Sequence, residues 1–169
     1  MLKISTDADF LKFRIAFSNT DGYALHSNED IDQLKNLYKS FADSKFDNCL
    51  VISKKILDTN YTSLTGHLHS MACSFELGNV EKGKYHRYVL QGLVDSISRS
   101  GDGKSTETAY MTLSVSELRT FLRLKGFEIM GQALINENDR KYDLMSVKDR
   151  ESGELSDLYF DITKTFDIY

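Results

Sequence analysis

The segment at residues 99–105, Arg-Ser-Gly-Asp-Gly-Lys-Ser, carries the chain's clearest sign of nucleotide chemistry, because its last three residues are those that end a phosphate-binding loop. A complete loop also has a glycine five residues before Gly103 and lies between a strand and a helix, so that backbone N–H groups point at the phosphates. Position 98 is Ser98, and the flanking pattern indicates a helix before the loop and a strand after it. The segment is therefore interpreted as a turn, with Gly101 left-handed at the helix end and Lys104 solvated.

Three of the four histidines lie close together in the helical part of the sequence. His67 and His69 are two residues apart, so on a helix their side chains point about 200° apart and bind one metal ion poorly. We expect one of them at an interface between helices and the other exposed. His86, on the next predicted helix, is placed to meet His67 or His69 across a hairpin. No catalytic residue, metal ion or cofactor is predicted.

The net charge and the two cysteines limit the binding partners and the cellular compartment that the sequence predicts. The net charge is −4 and basic residues occur at most in pairs, which disfavours binding to nucleic acid. Cys49 and Cys73 lie in helical patterns outside any CxxC motif and are interpreted as buried free thiols in a reducing compartment. No apolar run approaches the roughly 18 residues of a membrane span, and the N-terminus does not resemble a signal peptide. These features predict a cytoplasmic protein without a membrane partner.

The C-terminal third is rich in carboxylates. The acidic residues of this region are Asp139, Asp143, Asp149, Glu151, Glu154, Asp157 and Asp161. The simpler interpretation is that these carboxylates lie on a solvent-exposed face of the sheet and in its turns. The alternative is an acidic patch that docks a basic protein surface, with Tyr142 and Tyr159 as aromatic anchors.

The N-terminal subregion, residues 1–100, has apolar residues at three- and four-residue spacing and predicts helices. The predicted segments are 10–17, a helix that follows a capping box at Ser27 and Asp30, then 46–57, 63–77 and 80–99. Ile31, Tyr38 and Val51 are expected on buried stripes. Apolar positions recur after 34 residues, the period of tetratricopeptide helix pairs, which predicts two stacked helical hairpins.

The C-terminal subregion, residues 101–169, predicts β-α-β-β-β. Residues 108–115 form a strand candidate, and a helix follows with Ser114 and Glu117 as a capping box and Gly126 as its end. Segments 127–135, 141–149 and 158–166 then predict an antiparallel meander. The whole chain, residues 1–169, is predicted to be a single α+β domain in which the helical hairpins pack on a small, mainly antiparallel sheet.

Three segments carry a resemblance to a known family: ISRSGDGKSTETAYMTLSVSE, KYDLMSVKD and LYFDIT. They resemble a bacterial family that is known only as a domain of unknown function, number 4919, over residues 34–163. The resemblance implies a helical N-terminal region, an SGDGK[ST] loop that leads into a strand, and a YD…YFDI strand pair near the end. It implies no activity.

Two functions are consistent with these features. We expect a non-catalytic module that binds another protein, and its most specific form is an immunity-type protein that neutralises a basic toxin by direct binding. The alternative is a small-molecule-binding protein or an enzyme that uses the loop at 101–105 and the nearby histidines. The residues assigned to binding under these two hypotheses are Asp102, Lys104, His67, His86, Tyr142, Asp143, Tyr159 and Asp161.

Overall fold

The N-terminal part of the fold consists of helices, as the sequence predicts. A computed structural model describes residues 9–20, 23 and 30–166, and places there α1 (Phe10–Ser18), α2 (Ile31–Ala42), α3 (Phe46–Thr59), α4 (Leu64–Glu76) and α5 (Val80–Ser98). The N-cap of α2 is Asp30, whose carboxylate accepts the N–H groups of Asp32 and Gln33. The predicted partner of that cap, Ser27, lies outside the described residues.

The two hairpins, α2–α3 and α4–α5, share the predicted 34-residue repeat in their backbone conformation as well as in their sequence. Each first helix ends at a residue in the left-handed conformation, Ser44 (φ 57°) in one hairpin and Gly78 (φ 73°) in the other. In both, the next residue donates its N–H to the carbonyl five residues back, at 2.8 Å. This bond satisfies a carbonyl that the helix itself cannot pair. The repeat is therefore one of helix-ending geometry as well as of apolar positions.

Cys49 and Cys73 form a disulfide that joins α3 to α4. The interpretation of both as free thiols is wrong. Both cysteines lie in a small core with Leu37 and Ile56. Their burial was predicted correctly, but the bond between them was not. Two buried cysteines separated by 24 residues show no spacing motif that would distinguish packing from bonding.

The C-terminal part has the predicted β-α-β-β-β arrangement, except that a short helix replaces the end of the last predicted strand. Its elements are β1 (Tyr110–Met111), α6 (Val115–Leu124), β2 (Phe127–Glu137), β3 (Arg140–Asp149), β4 (Leu155–Asp161) and a short α7 (Thr163–Phe166). The strand order is β1-β4-β3-β2, with β1 parallel to β4 and the other pairs antiparallel. The first strand is shorter than predicted because the N–H of Leu113 donates to the Glu117 carboxylate, which starts the turn into α6.

The inner face of the sheet packs against α4, α5 and α6, so the helical half covers the sheet as predicted. The most deeply buried members of this core include Leu93, Ile97, Leu122, Met145 and Phe160. Burial of this apolar surface is the main force that joins the two halves. The chain therefore has the α+β architecture expected from its sequence.

Several residues expected on buried stripes are exposed instead, and three of them are the most exposed. Ile31 is 69% exposed, Val51 is 53% exposed and Tyr38 is 40% exposed. The helical periodicity is correct, but it cannot tell which apolar residues of a wide stripe the neighbouring helices cover. Ile31 and Tyr38 both face one groove, described below.

Candidate functional site

The loop at 101–108 is closed by its own hydrogen bonds. The N–H groups of Asp102 and Gly103 donate to the carbonyl of Thr108, at 3.0 and 2.8 Å. The N–H of Lys104 donates to the Asp102 carboxylate at 3.0 Å, and so does the Thr108 hydroxyl at 2.6 Å. A phosphate loop leaves such N–H groups free for its ligand. The geometry here is that of a turn.

Two details refine the interpretation of this turn. Gly103, with φ 70°, is the left-handed residue, and the expectation that Gly101 would be is wrong. Gly101 is required for a different reason, since a Cβ there would lie 2.2 Å from the carbonyl oxygen of Thr108. Lys104 is exposed and 3.8 Å from the Asp102 carboxylate. The Thr108 hydroxyl bond lowers the pKa of Asp102, which keeps this carboxylate ionised as the centre of the turn.

His67 and His86 meet across the α4–α5 hairpin. Their Nδ1 atoms are 3.0 Å apart, and Nε2 of His67 is 2.9 Å from the carbonyl oxygen of Tyr61. Because a carbonyl only accepts, His67 carries its proton on Nε2 and its Nδ1 is the acceptor. His86 must then donate from Nδ1, so its lone pair is on Nε2. The contacts define one tautomer for each ring.

The surroundings keep this histidine pair neutral. Burial lowers the pKa of His67 to about 4. Burial, the His67 ring and Lys82 lower the pKa of His86 to about 4. The hydroxyls of Tyr61 and Tyr85 form a hydrogen bond with each other beside the histidine pair. The pKa of Tyr61 is raised, mainly by burial and to a lesser extent by this bond. The pair behaves as a neutral polar link inside a hairpin.

His69 is buried rather than exposed, which corrects the expectation that one of the two neighbouring histidines would face solvent. Its Nδ1 lies 2.9 Å from the carbonyl oxygen of Thr65, and its ring packs against Tyr38 and Phe41 of α2. Within residues 9–20, 23 and 30–166, no group of three or more His, Cys, Asp or Glu side chains is placed to hold a metal ion.

A pH prediction follows from the histidine pair. The unfolded chain binds a proton at His67 near the ordinary pKa of 6.5, and the folded chain only near 4. Between these values the unfolded state holds more protons, so the free energy of unfolding falls as the pH falls, by about 2 kcal/mol from pH 7 to pH 5 through His67 alone. Urea unfolding of the wild type and of His67→Gln at both pH values measures this. Equal losses in both proteins would contradict the assignment.

Three of the four C-terminal residues assigned to binding are buried, whereas the neighbouring Glu151, Glu154 and Asp157 are exposed. Asp143 is 2% exposed on the core side of β3, and its Oδ2 has no hydrogen-bond partner among the residues that the structure describes. Asp161 is buried, pairs with Arg140 and accepts the N–H of Thr163. Tyr142 is 4% exposed. Among these four candidates only Tyr159, which is half-buried, retains some exposure as an anchor.

A groove of about 480 Å³ lies between α2 and α6. Its lining residues are Ile31, Leu34 and Tyr38 from α2, and Val115, Ser116, Arg119, Thr120 and Arg123 from α6. Helix α4 supports both walls. The Tyr38 ring lies 5.3 Å from that of His69, and the hydroxyls of Thr65 and Thr120 are 3.0 Å apart. The walls are thus fixed to a buried helix.

A second groove, of about 540 Å³ between α2 and α3, has a different character. It is lined by charges of both signs, such as Asp32, Asp43, Lys39 and Lys55, and the one apolar residue in its described lining is Ile52. Binding sites are lined predominantly by apolar groups with a few polar ones. The α2–α6 groove fits that description better and is the candidate functional site.

Sequence reasoning missed this groove entirely. The available signal was the width of the apolar stripe on α2, where Ile31, Leu34 and Tyr38 follow helical spacing but exceed what one neighbour can cover. The partner wall on α6 was predicted as a helix. Nothing in the sequence indicates that α2 and α6, which are more than 70 residues apart, flank the same helix.

Comparison with known proteins confirms the family that the sequence resembles. The model of one family matches residues 4–169, a family described as a domain of unknown function (DUF4919). The chain belongs to this family. The match extends on both sides of residues 34–163, where the motifs carry the resemblance. For this DUF4919 chain, neither the curated proteins nor the solved structures provide a significant match. Across the described part of the chain, no helix is both long enough and apolar enough to cross a membrane.

Proposed function

We propose that this chain is a non-catalytic module that binds another protein through the groove between α2 and α6. The observation that supports the proposal most strongly is Ile31. This large apolar side chain is 69% exposed and lines the α2–α6 groove beside Leu34 and Tyr38. Grouped exposed apolar residues beside charged ones are typical of protein-interaction sites.

The candidate chemistry elsewhere favours binding over catalysis. In the loop, the N–H groups of residues 102–104 bond to other atoms of the loop. In the histidine pair, three of the four ring nitrogens take part in the contacts to Tyr61 and between the rings. Polar groups that bond to each other in this way stabilise the local structure, and their presence does not require an active site.

The test is a pull-down from the source organism with a matched pair of variants. Ile31 and Val80 are each the first residue of a helix and are 69% and 47% exposed. Ile31→Glu is expected to abolish capture of a stoichiometric partner, because a carboxylate would have to be buried on binding. Val80→Glu makes the same change at the same helical position, away from the groove, and should leave capture intact. Equal behaviour of the two variants would refute the proposal.

Neutralisation of a toxin by direct binding is a specific form of this proposal, and the identity of the captured protein tests it. Asp143 and Asp161 are buried, so an acidic surface that contacts a basic toxin would consist of exposed residues such as Glu154 and Asp157. A cytoplasmic location stays a prediction. The disulfide between α3 and α4 favours an oxidising compartment instead.

A further inference from the structure

Among the described residues, the charged side chains that line the α2–α6 groove are all cationic. They are Arg119 and Arg123, one helical turn apart on α6, and both are exposed. From α2, the described lining residues are Ile31, Leu34 and Tyr38. Arg119 donates to the side-chain oxygen of Gln132 at 3.2 Å, and this neutral partner does not offset its charge. The groove therefore combines an apolar wall with a positive one on a chain whose net charge is −4.

The walls also restrict the backbone conformation of an occupant. Both walls are α-helices, whose interior N–H and C=O groups bond within the helix. An extended segment docked there would find no strand edge to pair with, and its buried backbone groups would stay unsatisfied. A helical segment satisfies its own backbone. Helix-in-groove docking is the recognition mode that such walls accommodate.

We propose that the groove binds an acidic amphipathic helix of a partner protein, an inference that rests on the proposed function and specifies the partner's chemistry. Apolar side chains of that helix at positions i, i+3 or i+4, and i+7 pack on Ile31, Leu34 and Tyr38. Glutamate or aspartate on its flank faces Arg119 and Arg123, and pairs of this kind set orientation and association rate.

The length of the walls sets the length of the partner segment. The α2 residues that line the groove run from Ile31 to Tyr38, a stretch of about 12 Å at a rise of about 1.5 Å per residue. A partner helix of at least about two turns covers this distance. Its apolar side chains at i, i+3 or i+4, and i+7 match the three apolar residues that α2 supplies.

The experiment is a selection followed by charge reversal. A phage-displayed library of random peptides of about 14 residues is panned against the full-length protein, and the enriched peptides are synthesised. We expect apolar residues at helical spacing with an excess of Glu and Asp. Binding should weaken by about tenfold or more in Arg123→Glu and in Arg119→Glu/Arg123→Glu. Arg150→Glu, an exposed arginine outside the groove, is the control for net charge.

Each outcome is decisive for the inference. A charge swap supports the inference if it restores binding: the acidic residues of a selected peptide are changed to lysine, and this peptide is tested against Arg119→Glu/Arg123→Glu. Enrichment of neutral or basic peptides, no enrichment, or equal binding by the arginine variants overturns it. If a natural partner depends on Ile31 while selected peptides are not acidic helices, the proposed function stands and this inference fails. If Ile31→Glu leaves the natural partner bound, the proposed function itself fails.

Discussion

The Arg14→Met variant is expected to lose about 3–5 kcal/mol of stability, because it leaves a carboxylate buried without its counter-charge. Arg14 is fully buried although it lies in α1, the first helix of the chain. Its guanidinium donates to both carboxylate oxygens of Glu117, at 3.0 and 2.8 Å. It also donates to the Ser96 hydroxyl and the Met111 carbonyl, each at 3.0 Å. One side chain therefore ties α1 to α5, β1 and α6.

Urea denaturation with two further variants tests this role. Arg14→Met/Glu117→Gln should recover part of the loss, because the remaining amide is neutral and its oxygen still accepts the N–H of Leu113. Lys12→Met, on the same helix with a side chain that is 85% exposed, should change the free energy of unfolding by less than about 1 kcal/mol. A cost for Arg14→Met no larger than that of Lys12→Met would contradict the account.

Loss of the disulfide is expected to lower the free energy of unfolding by about 3.5 kcal/mol, the chain-entropy value for a loop of this size. The bond closes a segment of 24 residues between α3 and α4. Without it the unfolded chain gains freedom, while the small core around Leu37 and Ile56 persists. The loss would therefore act mainly on the unfolded state.

Thermal unfolding with and without dithiothreitol measures the effect. The wild-type melting temperature should fall in the reductant, and that of Cys49→Ala/Cys73→Ala should not respond to it. Thiol titration of the denatured, unreduced protein supplies a direct check. Two reactive thiols per chain, together with an unchanged melting temperature, would show that the bond is not formed in solution.

Local chemistry determined what the sequence could predict. Ser114 caps α6 as expected, since its side chain accepts the N–H of Glu117. The meander turns where predicted, with Asn138 and Asp139 in the left-handed conformation that two-residue hairpin turns require. Caps and turns depend on residues within a few positions of each other. Their prediction needs no knowledge of the tertiary fold.

Long-range pairing determined what the sequence could not predict. The Glu117 carboxylate was expected to complete a local capping box, but it bonds instead to Leu113 and to Arg14, which is 103 residues away. The disulfide and the α2–α6 groove also join segments that are distant in sequence. An arginine within the apolar segment FLKFRIAF was the one local sign of a buried ion pair. The remaining features depend on which helices become neighbours.

The most direct test of the groove as a binding surface is site-specific photo-crosslinking in the source organism. A photoreactive phenylalanine analogue replaces Tyr38, which lines the groove, or Tyr85, an equally exposed tyrosine on α5 that does not (40% and 39% exposed). The account predicts one crosslinked partner from position 38 and none from position 85. The same adduct from both positions, or from position 85 alone, or no adduct from position 38, would contradict it.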